Sequence, residues 1–216
     1  MKIAKAIARR VGYGSCLMEL MPDLIQIVDA ALADAARRSG AHLVCRPGCT
    51  QCCVGVFAIS QHDAGRLRDA LDDLSRTDAS CADRIRVRIA ASIARLDSSF
   101  PGDARTGILA EDSEAEAAFE SFGNDEVCPV LDPDTGTCDL YSARPILCRT
   151  FGPPMRDADG NLTACELCYT TATKDEIAAC ELDPAILAIE ESSNKAFNAE
   201  HGACGDTIVA FALRSR

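Results

Sequence analysis

The chain has no tryptophan, and aromatic residues make up only 5% of it, so large stacking surfaces are not expected. Cations are also in deficit. Lys and Arg total 22 against 33 Asp and Glu, a formal net charge of −11. Binding nucleic acid requires a cationic face for the phosphates, so nucleic acid is excluded as an expected partner. An acidic surface suits a protein that repels its own copies. No run of about eighteen apolar residues occurs, so no membrane span is expected. The stretch from Met1 to Ser15 carries Lys2, Lys5, Arg9 and Arg10 but lacks the apolar stretch of a secretory signal. It reads as an exposed amphipathic helix in preference to an organelle transit peptide. Walker loops, nucleophile elbows and dinucleotide fingerprints are missing. Histidine is limited to His42, His62 and His201. His62 sits at a helix start, and His42 and His201 read as surface residues, with His42 near enough to Cys45 to be considered as a ligand or proton donor.

At 216 residues, 48% hydrophobic and 25% charged, the chain fits one soluble domain, or one domain with a small appendage. Helical spacing dominates. Residues 1–40 read as helix, with Pro22 in a first turn and Leu24, Ile25, Val28, Leu32 and Ala35 along one face. Val54 to Ile59 reads as a short strand. Ser60 to Asp63 looks like a capping box opening a helix through about Leu74. Ile85, Ile89, Ile93 and Leu96 put a second helix over 82–96. A loop over 97–112 and an acidic helix from Ser113 to Phe122 follow. Beyond Asp125 the texture becomes short segments broken by Pro, Gly and Asp, with a turn at 132–136 and a hairpin turn at Asp159-Gly160. Helix returns at about 173–180 and 184–199, and 207–213 fits helix or strand. The expected fold is mainly α, with helices around an irregular cysteine-rich core carrying short strands or hairpins. We expect an N-terminal helical segment over 1–42. A cysteine-cluster domain over 43–216 would then hold a helical insert at about 60–123 and C-terminal helices.

Thirteen cysteines are the unusual abundance. The count is odd and no secretory signal is visible, so clustered thiols point to metal ligands or redox groups in a reducing cytoplasm. The first patch is Cys45-x3-Cys49-x2-Cys52-Cys53. The second is Cys128-x9-Cys138-x9-Cys148, followed by Cys165-x2-Cys168. Two cysteines separated by two residues can turn their sulfurs toward one metal, and Pro47 and Gly48 favour such a loop. Thiolates are soft donors that select zinc or iron–sulfur clusters over magnesium or calcium. Adjacent side chains diverge, so the Cys52-Cys53 pair argues mildly against a simple four-cysteine zinc ribbon. The bland alternative is that the thiols are buried apolar groups or disulfides. Cys16, Cys81, Cys180 and Cys204 fit burial; the nine clustered cysteines fit metal better. A calcium loop at 157–168 fails, because its glycine, Gly160, comes fourth instead of sixth and Cys168 stands where Glu belongs.

The segments Cys45-Arg46-Pro47-Gly48-Cys49-Thr50-Gln51-Cys52-Cys53, Cys128-Pro129-Val130-Leu131, Cys138-Asp139-Leu140-Tyr141 and Arg144-Pro145-Ile146-Leu147-Cys148-Arg149 resemble the YkgJ family of cysteine-cluster proteins. That family is described as a zinc- or iron-chelating domain. The resemblance extends over about 43–170 and departs from the family pattern at Thr50, where glycine is usual. It implies Cys45, Cys49, Cys52, Cys53, Cys128, Cys138 and Cys148 as ligands, with Cys165 or Cys168 in a more variable late position. A flagellin lysine methylase with a similar cysteine signature is associated with an iron–sulfur cluster.

Four thiolates around zinc or a [4Fe–4S] cluster leave an anionic site. Arg149, beside Cys148, is placed to offset that charge and donate to sulfur; Arg144 does likewise or pairs with a surface carboxylate. Pro145 fixes the backbone entering the ligand loop, and Tyr141 reads as a packing residue over the site. Seven to nine clustered cysteines exceed one zinc site. An iron–sulfur cluster, [4Fe–4S] in preference, with a redox or catalytic role is therefore the favoured expectation, acting with a protein or peptide substrate or partner. The alternatives are a zinc-stapled protein-interaction module, S-adenosylmethionine-dependent methyl transfer by analogy with the methylase, and metal storage or trafficking.

Overall fold

The computed structural model describes residues 24–46, 48–156 and 160–214. The expected helix over 1–23 with Pro22, the packing role of Cys16, the contribution of Pro47 and residues 157–159 lie outside them. Eight helices and three two-stranded antiparallel hairpins make up the described part, so the fold is mainly α, as expected.

Helix α1, Leu24–Ser39, buries the face that its spacing marks, with Leu24, Val28 and Ala35 inside. Helix α2, Gln61–Thr77, starts where the Ser60 side chain accepts the Asp63 N–H. Only that half of the expected capping box forms, because the Asp63 carboxylate is engaged elsewhere. Helix α3, Ala79–Leu96, begins three residues earlier than expected, since Asp78 caps it by accepting the Cys81 N–H. The two helices pack together through Ala64, Leu67, Leu71, Ala82, Ile85 and Ile89. Each fully buried leucine or isoleucine there contributes on the order of 1.5–3 kcal/mol.

The expected loop over 97–112 contains a hairpin, β1 (Gly102–Asp103) with β2 (Ile108–Leu109). Helix α4 is Ser113–Phe119, shorter than the acidic helix predicted, with Asp112 as its cap. The turn at 132–136 joins β3 (Leu131–Asp132) to β4 (Thr137–Cys138). Gly136 takes φ +66° there, and Asp132 accepts the Asp134 N–H and the Thr135 hydroxyl. Helix α5, Ile146–Thr150, follows, then the hairpin β5 (Met155–Arg156) with β6 (Leu162–Thr163), which brackets the turn anticipated at Asp159-Gly160. Helix α6, Lys174–Ala179, carries a complete capping box from Thr173 and Glu176. Helix α7 is Ala185–His201, and α8 is Val209–Ala212.

One expectation changes. Val54 to Ile59 is extended but belongs to no sheet among the described residues; its ends make single bridges, Val54 to Val127 and Ile59 to Thr207. A short run with no partner strand along its length cannot build a ladder. The 207–213 stretch, ambiguous in sequence, divides: Thr207 bridges, and 209–212 is helix. Helix α1 packs on α5 and α7 around Ile146, Leu182 and Ile186, which ties it to the cysteine-bearing segments.

Candidate metal centre

Backbone hydrogen bonds bring the two distant cysteine motifs together. The Cys128 N–H donates to the Cys53 carbonyl at 2.8 Å, beside the Val54–Val127 bridge. In the first motif, the Cys49 N–H closes a turn onto Arg46, and a 3₁₀ turn over Gln51–Cys53 presents the adjacent pair. Thr50 adopts φ −114°, a conformation that needs no glycine, and its methyl lies 3.6 Å from where a side chain at Gly136 would begin. The departure from the family pattern is thus accommodated. In the second motif, the β3–β4 hairpin returns Cys138 toward Cys128, with the Asp139 N–H donating to Val130 at 2.9 Å. Arg88, from α3, clamps this hairpin: it donates to the Pro129 carbonyl at 2.8 Å and pairs with Asp139 at 2.5 Å. Cys148 rides on α5.

Seven of the nine predicted cysteines, Cys45, Cys49, Cys52, Cys53, Cys128, Cys138 and Cys148, line one cavity of about 310 Å³, alongside Arg144 and Arg149. Cys165 and Cys168 are buried beside it, with the Cys168 Sγ 4.0 Å from that of Cys45. All cysteines among the described residues are free thiols. As the side chains stand, no three Cys, His, Asp or Glu among the described residues converge on one point tightly enough to hold an ion, so ligation requires the thiols to turn inward.

Electrostatics distinguishes the thiols. Burial pushes Cys128 up to about 12 and raises Cys138 and Cys148 as well. Cys45 is raised to about 12, by burial first and then by Cys168. Cys52 moves the other way, down to about 6, because Cys53 donates a hydrogen bond to it and Arg144 adds positive charge; Cys53 is raised correspondingly. So many half-buried thiols cannot ionise together without a cation. A metal core supplies that cation and releases the protons. Inert packing would also tolerate protonated thiols, but it gives no reason for seven of them to share one cavity.

The two arginines differ from each other. Arg149, expected to donate to sulfur, is only 4% exposed and uses its donors on backbone and on α1: Nε to the Arg144 carbonyl at 3.1 Å, Nη1 to both carboxylate oxygens of Asp29 at 2.7 and 2.9 Å, and Nη2 to the Ser142 carbonyl. It locks the ligand loop onto α1. Arg144 lies 4.0 Å over the Tyr141 ring, and its Nε is buried without a hydrogen-bond partner. Its charge acts on Cys52 and Cys138. A buried, unpartnered donor on a cavity lined by thiols fits an anionic thiolate-bound metal centre.

Sequence reasoning missed the supports. Asp63 was read as a cap, yet its carboxylate accepts the Ile146 N–H at 3.2 Å and pairs with Arg66. Asp29 and Arg88 carried no local signal at all, because their partners lie 120 and 41 or more positions away. His42 is not on the cavity; its carbonyl accepts the Tyr169 N–H and its ring stacks on Tyr169.

A family model, CxxCxxCC, described as "Putative zinc- or iron-chelating domain", matches residues 44–169. No curated protein and no solved structure matches the chain. None of the helices described is long and apolar enough to cross a membrane.

Proposed function

The chain belongs to the CxxCxxCC family of zinc- or iron-chelating domains, and from that premise we propose that its cavity holds an iron–sulfur cluster with a redox or catalytic role. The observation that carries this reading is the seven cysteines lining one cavity. Four thiolates close a zinc site. Seven exceed it, and a cavity of about 310 Å³ is far larger than the roughly 10–15 Å³ needed for a single water. Of these seven, Cys52, Cys53, Cys128, Cys138 and Cys148 are the ligand candidates for the cluster, with [4Fe–4S] the favoured nuclearity. Such a cluster supplies one-electron chemistry when bound.

The chain's own residues set its surroundings. Arg144 places a cation against the thiolates and offers a free N–H. Burial by Leu67, Val130 and Val209, which also line the cavity, limits water on one side. Tyr141 and Phe151 line the cavity yet stay 54% and 46% exposed, which supports docking of a protein or peptide at the mouth. Free, clustered thiols accord with a reducing cytoplasm.

Protein purified without oxygen should be brown, with broad visible absorption from sulfide-to-iron charge transfer and matching iron and sulfide contents. Colourless protein holding only zinc would overturn the cluster.

A further inference from the structure

The nine clustered cysteines do not form one crowd. Cys165 and Cys168 lie outside the cavity lining, buried in a small cluster with Tyr169 and Cys180 against Leu43 and Ile177. The Cys168 N–H donates to the Cys165 carbonyl at 2.8 Å, closing the x2 loop. On the other side stand Cys45 and Cys49, whose own turn is closed onto Arg46. The Sγ atoms of Cys45 and Cys168 are 4.0 Å apart. Four sulfurs at about 2.3 Å from a tetrahedral zinc lie about 3.8 Å from one another, so this edge already has the required length. Cys49 follows Cys45 by four residues across the turn that its N–H closes onto the Arg46 carbonyl. The five remaining cysteines, Cys52, Cys53, Cys128, Cys138 and Cys148, line the cavity, which Cys45 and Cys49 also border.

The backbone is built to hold these two loops against each other. The Tyr169 N–H donates to the His42 carbonyl at 2.9 Å, and the Cys165 N–H to the Gly152 carbonyl at 3.3 Å. Gly152, at φ +136°, makes room for Cys45: a Cβ there would sit 2.9 Å from its sulfur.

We propose that Cys45, Cys49, Cys165 and Cys168 form a separate zinc site, a tetrathiolate staple that pins the early cysteine loop to the 165–169 turn, while the other five cysteines serve the cavity. Zn²⁺ replaces four thiol protons, which pass to solvent, and leaves a centre of charge −2. The C-x3-C and C-x2-C spacings match closed structural sites with no open position. The proposal rests on the family's chelating character but not on iron in the cavity.

Metal analysis of the full chain, purified anaerobically, tests it. The parent should hold one zinc per chain besides any iron. Cys165→Ser with Cys168→Ser should lower zinc at least tenfold and leave the visible absorption in place. Cys138→Ser with Cys148→Ser should do the reverse. If the first double variant does not fold, alkylation of the parent decides: a zinc chelator should expose Cys45, Cys49, Cys165 and Cys168 together to iodoacetamide, with Cys128, Cys138 and Cys148 still protected. Parent protein without zinc, unchanged zinc in the folded 165/168 variant, or alkylation of all nine as one group would overturn the separate site. Absence of iron with zinc retained would defeat only the cluster.

Discussion

The carboxylate of Asp63, on α2, accepts the backbone N–H of Ile146 at 3.2 Å across 83 positions of sequence. That N–H opens α5, the short helix that carries Cys148, and has no earlier turn to satisfy it. Asp63 thus caps a helix to which it does not belong. Burial raises its carboxyl, and Arg66 opposes that rise. Asp63→Ala should lose about 2–3 kcal/mol, because a buried N–H and a guanidinium lose their acceptor. Bound metal should fall with it as α5 frays. Asp63→Asn keeps an acceptor and should lose less. Urea unfolding checks this; an alanine variant with the parent's midpoint and metal content would remove Asp63 from the site's support.

Arg144 should matter to the metal more than to the fold. Its buried Nε has no hydrogen-bond partner, and its charge acts on Cys52 and Cys138. Arg144→Gln should weaken metal retention about 10–100-fold, the usual effect of losing a group that tunes ligands from behind. The unfolding midpoint should change little. Arg144→Lys should recover part of the affinity, since charge returns without the planar fork. Competition with a chromogenic chelator reads this out, and equal retention in all three proteins would refute it.

Cysteines chosen from different surroundings should separate ligands from packing. Cys52→Ser and Cys148→Ser, both on the cavity, should each lower bound metal severalfold. Cys81 is 8% exposed within the α2–α3 core, so Cys81→Ser should keep full metal content and lose about 1 kcal/mol. Equal metal in all three variants would end the ligand assignment.

Much of this architecture was legible in the sequence, for identifiable reasons. Helices α1, α2, α3 and α7 announce themselves through long apolar periodicity, and the β3–β4 turn through Asp132-Pro133-Asp134-Thr135-Gly136. The cysteines revealed the cavity because soft donors at loop spacings have few other uses. The supports were illegible. Asp63, Asp29 and Arg88 are ordinary helix-surface residues until the fold brings Ile146, Arg149 and Asp139 to them. The Val54–Ile59 run misled because β-propensity describes a residue's fit to a sheet and cannot supply the partner strand. Arg149 spends its donors on Asp29 and on the Arg144 and Ser142 carbonyls, and adjacency to Cys148 says nothing about which way a long side chain turns on a helix.

Acidic residues set a pH dependence of their own. Glu190, on α7, is pushed up to about 7 by burial and by the nearby charges of Asp63 and Asp206, with Arg66 opposing. The folded chain therefore binds its proton more tightly than the unfolded one. That contribution is fully present below the ordinary Glu value of about 4.3 and is lost as pH rises through about 7. Glu190→Gln should flatten this dependence. At pH 8 the variant should be more stable than the parent, by at most about 1 kcal/mol once solvent screening is allowed for. At pH 5 the difference should shrink. Melting curves at the two pH values decide, and a parent curve no lower at pH 8 than the variant's would contradict the assignment.

Gly152 offers the sharpest local test of the zinc staple. A methyl at this position meets the Cys45 sulfur at 2.9 Å and Leu43 at 3.4 Å, and the backbone at φ +136° resists any side chain. Something must therefore move, and Cys45, on an exposed loop, moves more easily than the buried Cys165 and Cys168. Gly152→Ala should open the Cys45–Cys168 edge beyond coordination length and speed zinc loss to a chelator about tenfold or more, as expected when a fixed ligand is misplaced. Strain alone would lower stability equally with and without zinc. Displacement of a ligand would instead shrink the stabilisation that added zinc confers, because that increment reports metal affinity directly. Unfolding the parent and the variant with zinc and with chelator separates the two, and an unchanged zinc increment in Gly152→Ala would show that Cys45 does not hold the metal.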